Sequence, residues 1–308
     1  MRKYILILFI LLLAMPSLGT AQNKVATTAA QFLKIGVGAR AIGMGEAFTA
    51  VANDVSAIYY NPGGLSYVGG RTLYGTHIEW PADINYDFVA YSQPLDAVGG
   101  VVAVSFGAVT MDDMKRTDVH LSGEDGTTFG ASCYLMAATY SRLLTDRFAI
   151  GGSFKWVQEY YDDESSAEPA FDIGAQYKTG FKSLRMGFAI TNFGPDAKFI
   201  QESTPLPINF HFGVAYNVLE TYSHFLVVAF DGAHPNDNAE CYDLGLEYGF
   251  NEMFFLRGGY QLEYDAQSFA LGGGVKAPIG SFNLGLDYAY QDLDWLDQSH
   301  RLSLSLQF

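Results

Sequence analysis

SFNLGLDYAYQDLDWLDQSHRLSLSLQF, residues 281–308, is the stretch that decides the fold. In it Phe282, Leu284, Leu286, Tyr288 and Tyr290 alternate with Ser281, Asn283, Gly285, Asp287, Ala289 and Gln291. After an acidic break the beat resumes, with Leu302, Leu304, Leu306 and Phe308 set against Arg301, Ser303, Ser305 and Gln307. Successive side chains on a strand point to opposite faces. Each run is therefore a strand with one wholly apolar face and one face that carries charge.

The same period extends towards the amino terminus. Tyr242, Leu244, Leu246, Tyr248 and Phe250 alternate with Asp243, Gly245, Glu247 and Gly249. Ile208, Phe210, Phe212, Val214, Tyr216 and Val218 alternate with Asn209, His211, Gly213, Ala215 and Asn217. The pattern predicts strands at 71–80, 84–95, 99–110, 129–143, 147–160, 168–179, 183–193, 206–218, 223–231, 239–250, 253–264, 268–277, 281–291 and 299–308. The second and ninth are ambiguous in phase. A soluble sandwich also alternates, but loop length separates the two folds. Short turns at 96–98, 144–147, 179–182, 219–222, 251–252 and 278–280 face longer, often acidic loops at 111–128, 161–168, 194–205, 232–238 and 292–298, with short connections at 81–83 and 265–267 falling in phase on the long-loop side. Short turns on one side and long loops on the other are the outer-membrane barrel pattern, and an even number of strands, about 14, places both barrel ends on the periplasmic side.

Composition agrees. The chain has 308 residues, 49% hydrophobic and 15% aromatic, with 33 glycines, 20 tyrosines and 23 phenylalanines. A mean hydropathy of +0.08 fits a barrel whose two faces average out. Arg2 and Lys3, the apolar run 4–15 and the small residues Gly19, Thr20 and Ala21 predict a signal peptide over 1–21. Its removal takes the net charge from −15 to −17, which excludes nucleic acid as a natural partner. No later stretch is long and apolar enough for a spanning helix, so membrane insertion must be by strands. Cys133 and Cys241 fall on strands nearly opposite each other in the ring, which predicts two free, inward-facing thiols rather than a bridge.

Before the strands lies GARAIGMGEAFTAVANDVSAIYYNPGGL, residues 38–65. Glu46–Ala52 reads as a short helix. Asp54 reads as the acceptor that opens a second turn, which Asn61 and Pro62 end. The segment has too little apolar surface to fold alone, so it is expected inside or under the barrel. Gly36, Gly38 and Ala41 match a G-x-G-x-x-A pattern, but meander strands follow where a dinucleotide fold needs βαβ units.

This stretch resembles the amino-terminal signature of the PorV/PorQ branch of outer-membrane proteins and, more distantly, that of FadL long-chain fatty-acid transporters. The resemblance rests on the G-x-R-x-x-G-M-G-x-A run and the Asn-Pro-x-Gly-Leu element, with Gly63 where alanine is usual. It implies an all-β, FadL-like barrel of about 14 strands over 70–308, in the outer membrane of a Gram-negative bacterium. It also implies an amino-terminal plug over 22–69 that carries Gly38, Arg40, Gly43, Gly45, Glu46, Asp54, Asn61, Pro62, Gly64 and Leu65. Inward glycines at 151, 174, 187, 213, 245, 272 and 274 leave room for such a plug. The lumen is expected to present Arg185, His211, Asp243, Glu247, Arg257, Lys276 and Asp287, with Arg40 within ion-pair reach of an acid. Leu302, Leu304, Leu306 and Phe308 resemble a barrel-insertion signal.

The acidic loops at 112–113, 162–164 and 292–297 read as solvated surface charge. No catalytic spacing is present and His211 has no second ligand, so no enzyme, cofactor or metal is expected. Two functional classes follow from the resemblance, and the nearer likeness of the signature to PorV/PorQ puts the first ahead of the second. One is an accessory of type IX-like protein secretion, which engages cargo proteins or secretion components at its outer loops. The other is a channel for hydrophobic small molecules through a plugged lumen. Outer-membrane lipid is a partner in both.

Overall fold

The protein is described from a computed structural model that covers residue 25, residues 27–116 and residues 127–308. The expected signal peptide and the tip of the 111–128 loop lie outside the described residues. Fourteen antiparallel strands close into a barrel. They are β1 (Thr72–Trp80), β2 (Ile84–Leu95), β3 (Gly100–Thr110), β4 (Ala131–Thr145), β5 (Phe148–Tyr161), β6 (Glu164–Lys178) and β7 (Arg185–Phe193), followed by β8 (Asn209–Glu220), β9 (His224–Pro235), β10 (Cys241–Phe250), β11 (Phe254–Leu262), β12 (Phe269–Ile279), β13 (Phe282–Asp292) and β14 (Gln298–Gln307). Each strand pairs with its neighbour in sequence, and β1 closes on β14 from Thr72↔Gln307 to Glu79↔His300. Arg71 and Phe308 exchange backbone hydrogen bonds of 3.0 and 2.9 Å, so both ends of the barrel meet at the short-turn side.

Burial is inverted relative to a soluble protein. Leu256, Val104 and Ile173 are 67%, 58% and 58% exposed, whereas Glu247, Asp243 and Arg301 are 2%, 3% and 1% exposed. Such an exterior is stable against hydrocarbon, and the closed ladder leaves no strand edge unpaired in it. The chain is an outer-membrane β-barrel. Among the described residues no helix is long and apolar enough to cross a membrane. Leu302, Leu304 and Phe308 are exposed on the lipid face of β14, and Leu306 is partly covered.

Two expectations about chain path are corrected. The 161–168 loop is a tight turn at Asp162 and Asp163, because Glu164 pairs with Tyr161 and Ser165 with Tyr160. Glu164, Ser165 and Ser166 put polar side chains on both faces there, so apolar–polar alternation does not mark the strand. The long 194–205 and 111–128 loops carry small hairpins of their own, Ala197–Phe199 with Glu202–Thr204 and Met114–Lys115 with Thr128–Phe129. Cys133 and Cys241 are both free and buried.

Candidate functional site

The segment before β1 occupies the barrel interior. It enters at the long-loop end, where Thr28 Oγ1 donates to Asp237 Oδ2 (2.6 Å) and Lys34 pairs with the same carboxylate. There Ala29 N–H also donates to Pro205 O (2.9 Å) and Ala30 N–H to Glu159 Oε2 (3.1 Å). It then forms the 3-10 turn Gln31–Lys34, helix α1 (Ala39–Gly43), helix α2 (Ala57–Tyr60) and the 3-10 turn Pro62–Tyr67, and leaves beside Gln307 at the short-turn end. The helix expected over Glu46–Ala52 is absent. Gly45 and Glu46 stand at φ 60° and 64°, left-handed values that stop α1 and leave one turn closed by Ala52 N–H to Phe48 O (2.7 Å). Asp54 Oδ1 accepts Ser56 N–H (2.9 Å) just ahead of α2.

Elements this short satisfy few of their own backbone groups, so the wall supplies partners. Asp231 Oδ2 accepts from the N–H of Phe48 (2.9 Å) and Thr49 (2.6 Å). Gln176 Nε2 donates to Ala52 O (2.8 Å), Ser303 Oγ accepts from Ala39 N–H (2.8 Å), and Arg301 Nε donates to Gly36 O (3.1 Å). Asn61 is fully buried, with Nδ2 on Thr49 O (2.8 Å) and Ala175 O (3.1 Å) and Oδ1 on Gly63 N–H (3.1 Å).

The plug meets the wall backbone to backbone. A Cβ on Gly259 would stand 2.0 Å from Gly45 N, and one on Gly272 would stand 2.9 Å from Gly43 Cα. Gly151 and Gly174 receive Pro62, Gly187 and Gly213 receive Thr49 and Ala50, and Gly245 receives Met44. Gly274 differs from the sequence expectation, because its space is taken by Asp287 and Arg257. Gly63, the departure from the usual alanine, packs tightly against the wall. A Cβ there would lie 2.9 Å from both Ala175 Cα and Gly174 O, so only glycine seats against β6.

Charge fixes the middle of the plug. Arg40 holds Glu247 through two bonds, Nε to Oε2 and Nη2 to Oε1, both 2.8 Å, and its Nη1 reaches Asp54 Oδ2 at 2.9 Å. Glu247 also accepts Arg257 Nε (2.7 Å), and Arg257 Nη1 reaches Asp287 Oδ1 (2.5 Å). Burial would raise the Asp54 carboxyl, but the Arg40 guanidinium and the Ser56 donor hold it below the usual range. Of the lumen residues picked from sequence, the structure joins Glu247, Arg257 and Asp287 to Arg40 and Asp54. It leaves the others outside that chain. Arg185 bonds Asn217 Oδ1 (2.9 Å), Asp243 accepts Tyr264 Oη (3.3 Å), Lys276 stacks on Phe255, and His211 lines a separate cavity.

Three cavities flank the plug. An inner one of about 310 Å³ at the long-loop end is lined by Leu33, Glu46, Tyr59, Tyr60, Lys155, Asn192, His211 and Tyr264, among others. Across the Gln31–Lys34 turn lies an outer one of about 330 Å³, lined by Phe32, Ile35, Trp80, Ile84, Val109, Met111 and Cys133. Below the plug a third, of about 220 Å³, is bordered by Arg40, Asp54, Lys276 and Asp287. Sequence reasoning missed Tyr59, Tyr60, Lys155 and Asn192. Lys155 sits on the inward beat of β5, and a charge at an inward position was the available signal.

Burial raises the Glu46 carboxyl from 4.5 to about 7; Arg301 pulls it down and Asp231 adds to the rise. Between those pH values the folded protein keeps a proton that the unfolded chain releases. Stability therefore falls as pH rises through this window. Thermal melts of purified protein are expected to show a lower Tm at pH 8 than at pH 5, and Glu46→Gln is expected to flatten that slope. An equal slope in the variant would assign it to other groups.

The profile of the Uncharacterised protein family (UPF0164) matches residues 12–151. No curated protein matches the sequence. Among solved structures, the Pseudomonas putida toluene transporter TodX superposes with a TM-score of 0.61 at 11% identity, covering 88% of this chain and 97% of that one. The Ralstonia pickettii toluene transporter TbuX gives 0.59 at 14% identity, with 88% and 97% covered. A Pseudomonas aeruginosa FadL homologue gives 0.51 at 11% identity, with 94% and 99% covered. The fold is FadL-like. At such identities the likeness is one of architecture, and it extends over nearly the whole length of each of these FadL-like barrels.

Proposed function

We propose that this FadL-like barrel is an outer-membrane channel for the uptake of small hydrophobic molecules. The observation that carries the reading is the pair of cavities at the long-loop end, one mainly apolar and one mixed, which share Gln31, Lys34 and Gln267 in their linings. Sites of about 300 Å³ with a few convergent polar groups suit small ligands. The likeness of the fold to the toluene transporters TbuX and TodX adds support. Proteoliposomes containing the protein are expected to take up radiolabelled toluene faster than protein-free liposomes. Equal rates would remove the reading.

A secretion-accessory role of PorV/PorQ type draws on the amino-terminal signature and on the two hairpins at the long-loop rim. Affinity capture from outer membranes, followed by mass spectrometry, tests it through recovery of secretion components.

A further inference from the structure

We infer that the inner cavity selects by charge, admitting neutral and cationic small molecules and rejecting carboxylates, with Glu46 as the residue that sets this preference. The inference rests on the uptake reading and narrows its substrate class.

The charges around the cavity carry it. Lys155 Nζ is committed to Asp172 Oδ2 (2.7 Å) and Asn192 Oδ1 (2.8 Å). Lys34 is committed to Asp237, whose side chain is fully covered. Both lysines that line the cavity are thus neutralised by an acid of their own. His211 adds no charge at pH 8, above the ordinary imidazole range.

Glu46 differs. Among the described residues its carboxylate has no ion-pair partner within 4 Å and no side-chain hydrogen bond, although it lines the cavity. Its backbone is held at φ 64°, and its Oε1 stands over Gly36, where a Cβ would meet it at 1.9 Å. The nearby Tyr60 hydroxyl, also in the lining, is buried without a hydrogen-bond partner among the described residues. The cation that Glu46 feels, Arg301, is already turned to Gly36 O, Gln291 and Ser299. Asp231 and Asp243 lie behind with one oxygen each unbonded. A ligand in this space meets an unpaired carboxylate and no free cation. An ammonium or hydroxyl donor completes the Glu46 carboxylate, whereas a carboxylate is opposed by it and has nothing to accept from but neutral donors.

The test is a ligand-observed NMR titration of the full chain in detergent at pH 8 with three single-ring probes, namely benzylamine, benzyl alcohol and benzoate. Wild type is expected to bind benzylamine at least about tenfold more tightly than benzoate, as one charge-assisted hydrogen bond allows. Glu46→Gln is expected to shrink that ratio to about threefold or less, while its amide oxygen still accepts the benzyl alcohol hydroxyl. Benzoate binding to wild type as tightly as benzylamine overturns the inference while leaving uptake standing, and so does a ratio unchanged in a folded Glu46→Gln. The wild-type ratio decides by itself should the variant fail to fold. Binding of none of the three probes to wild type overturns both this inference and the uptake reading.

Discussion

Gly259→Val is expected to leave the barrel closed but unseat its plug. A β-carbon at 259 meets Gly45 N at 2.0 Å and the Met44 carbonyl carbon at 2.3 Å. These are backbone atoms, which cannot swing aside as a side-chain tip can. Overpacking of this kind costs about 3 kcal/mol, and the plug, held by short elements, is the part that yields. In planar bilayers the wild type is expected to be nearly closed and the variant to conduct ions. Gly258→Val, one residue along and facing lipid, is the control, since its β-carbon has only Leu271 Cδ2 at 3.9 Å for company. That change should leave conductance as in wild type. Equal conductance of the 259 and 258 variants would mean that the plug does not depend on this contact.

The second large effect is at Glu247. Glu247→Ala strands Arg40 and Arg257, whose side chains are 15% and 1% exposed, although Asp54 and Asp287 each retain one contact. Removing one partner of a buried ion pair costs about 3–5 kcal/mol, because the other charge is left without compensation. Urea denaturation should show that loss. Adding Arg40→Met to Glu247→Ala should recover part of it, since residues in one network are not additive. A loss below about 1 kcal/mol would place Glu247 among wet, screened charges, and strict additivity would deny that the two residues interact.

How far these features were legible differs by kind. The runs at 281–291 and 299–308 announced their strands and their lipid faces, because alternation is a property of neighbours along the chain. The same logic failed at 164–167, where Glu164, Ser165 and Ser166 put polar side chains on both faces of β6. Arg40 could be read as needing an acid, but nothing in the sequence ranks Glu247 above Asp243, which lies on the same face of the same strand four residues earlier. Glu46 was marked only as a member of a motif. Its lack of a partner follows from where Arg301, 255 residues away, turns its guanidinium.

The sequence by itself determined most of the strands, their inward and outward faces apart from the phase of the second and ninth, and the common side on which both barrel ends fall, because a two-residue period and the lengths of turns are local quantities. The tertiary structure alone decided which glycine faces which part of the plug, which carboxylates are matched by guanidinium, and that Glu46 has no ion-pair partner among the described residues. Those depend on contacts between residues up to more than two hundred positions apart, and no local pattern encodes how such distant surfaces fit.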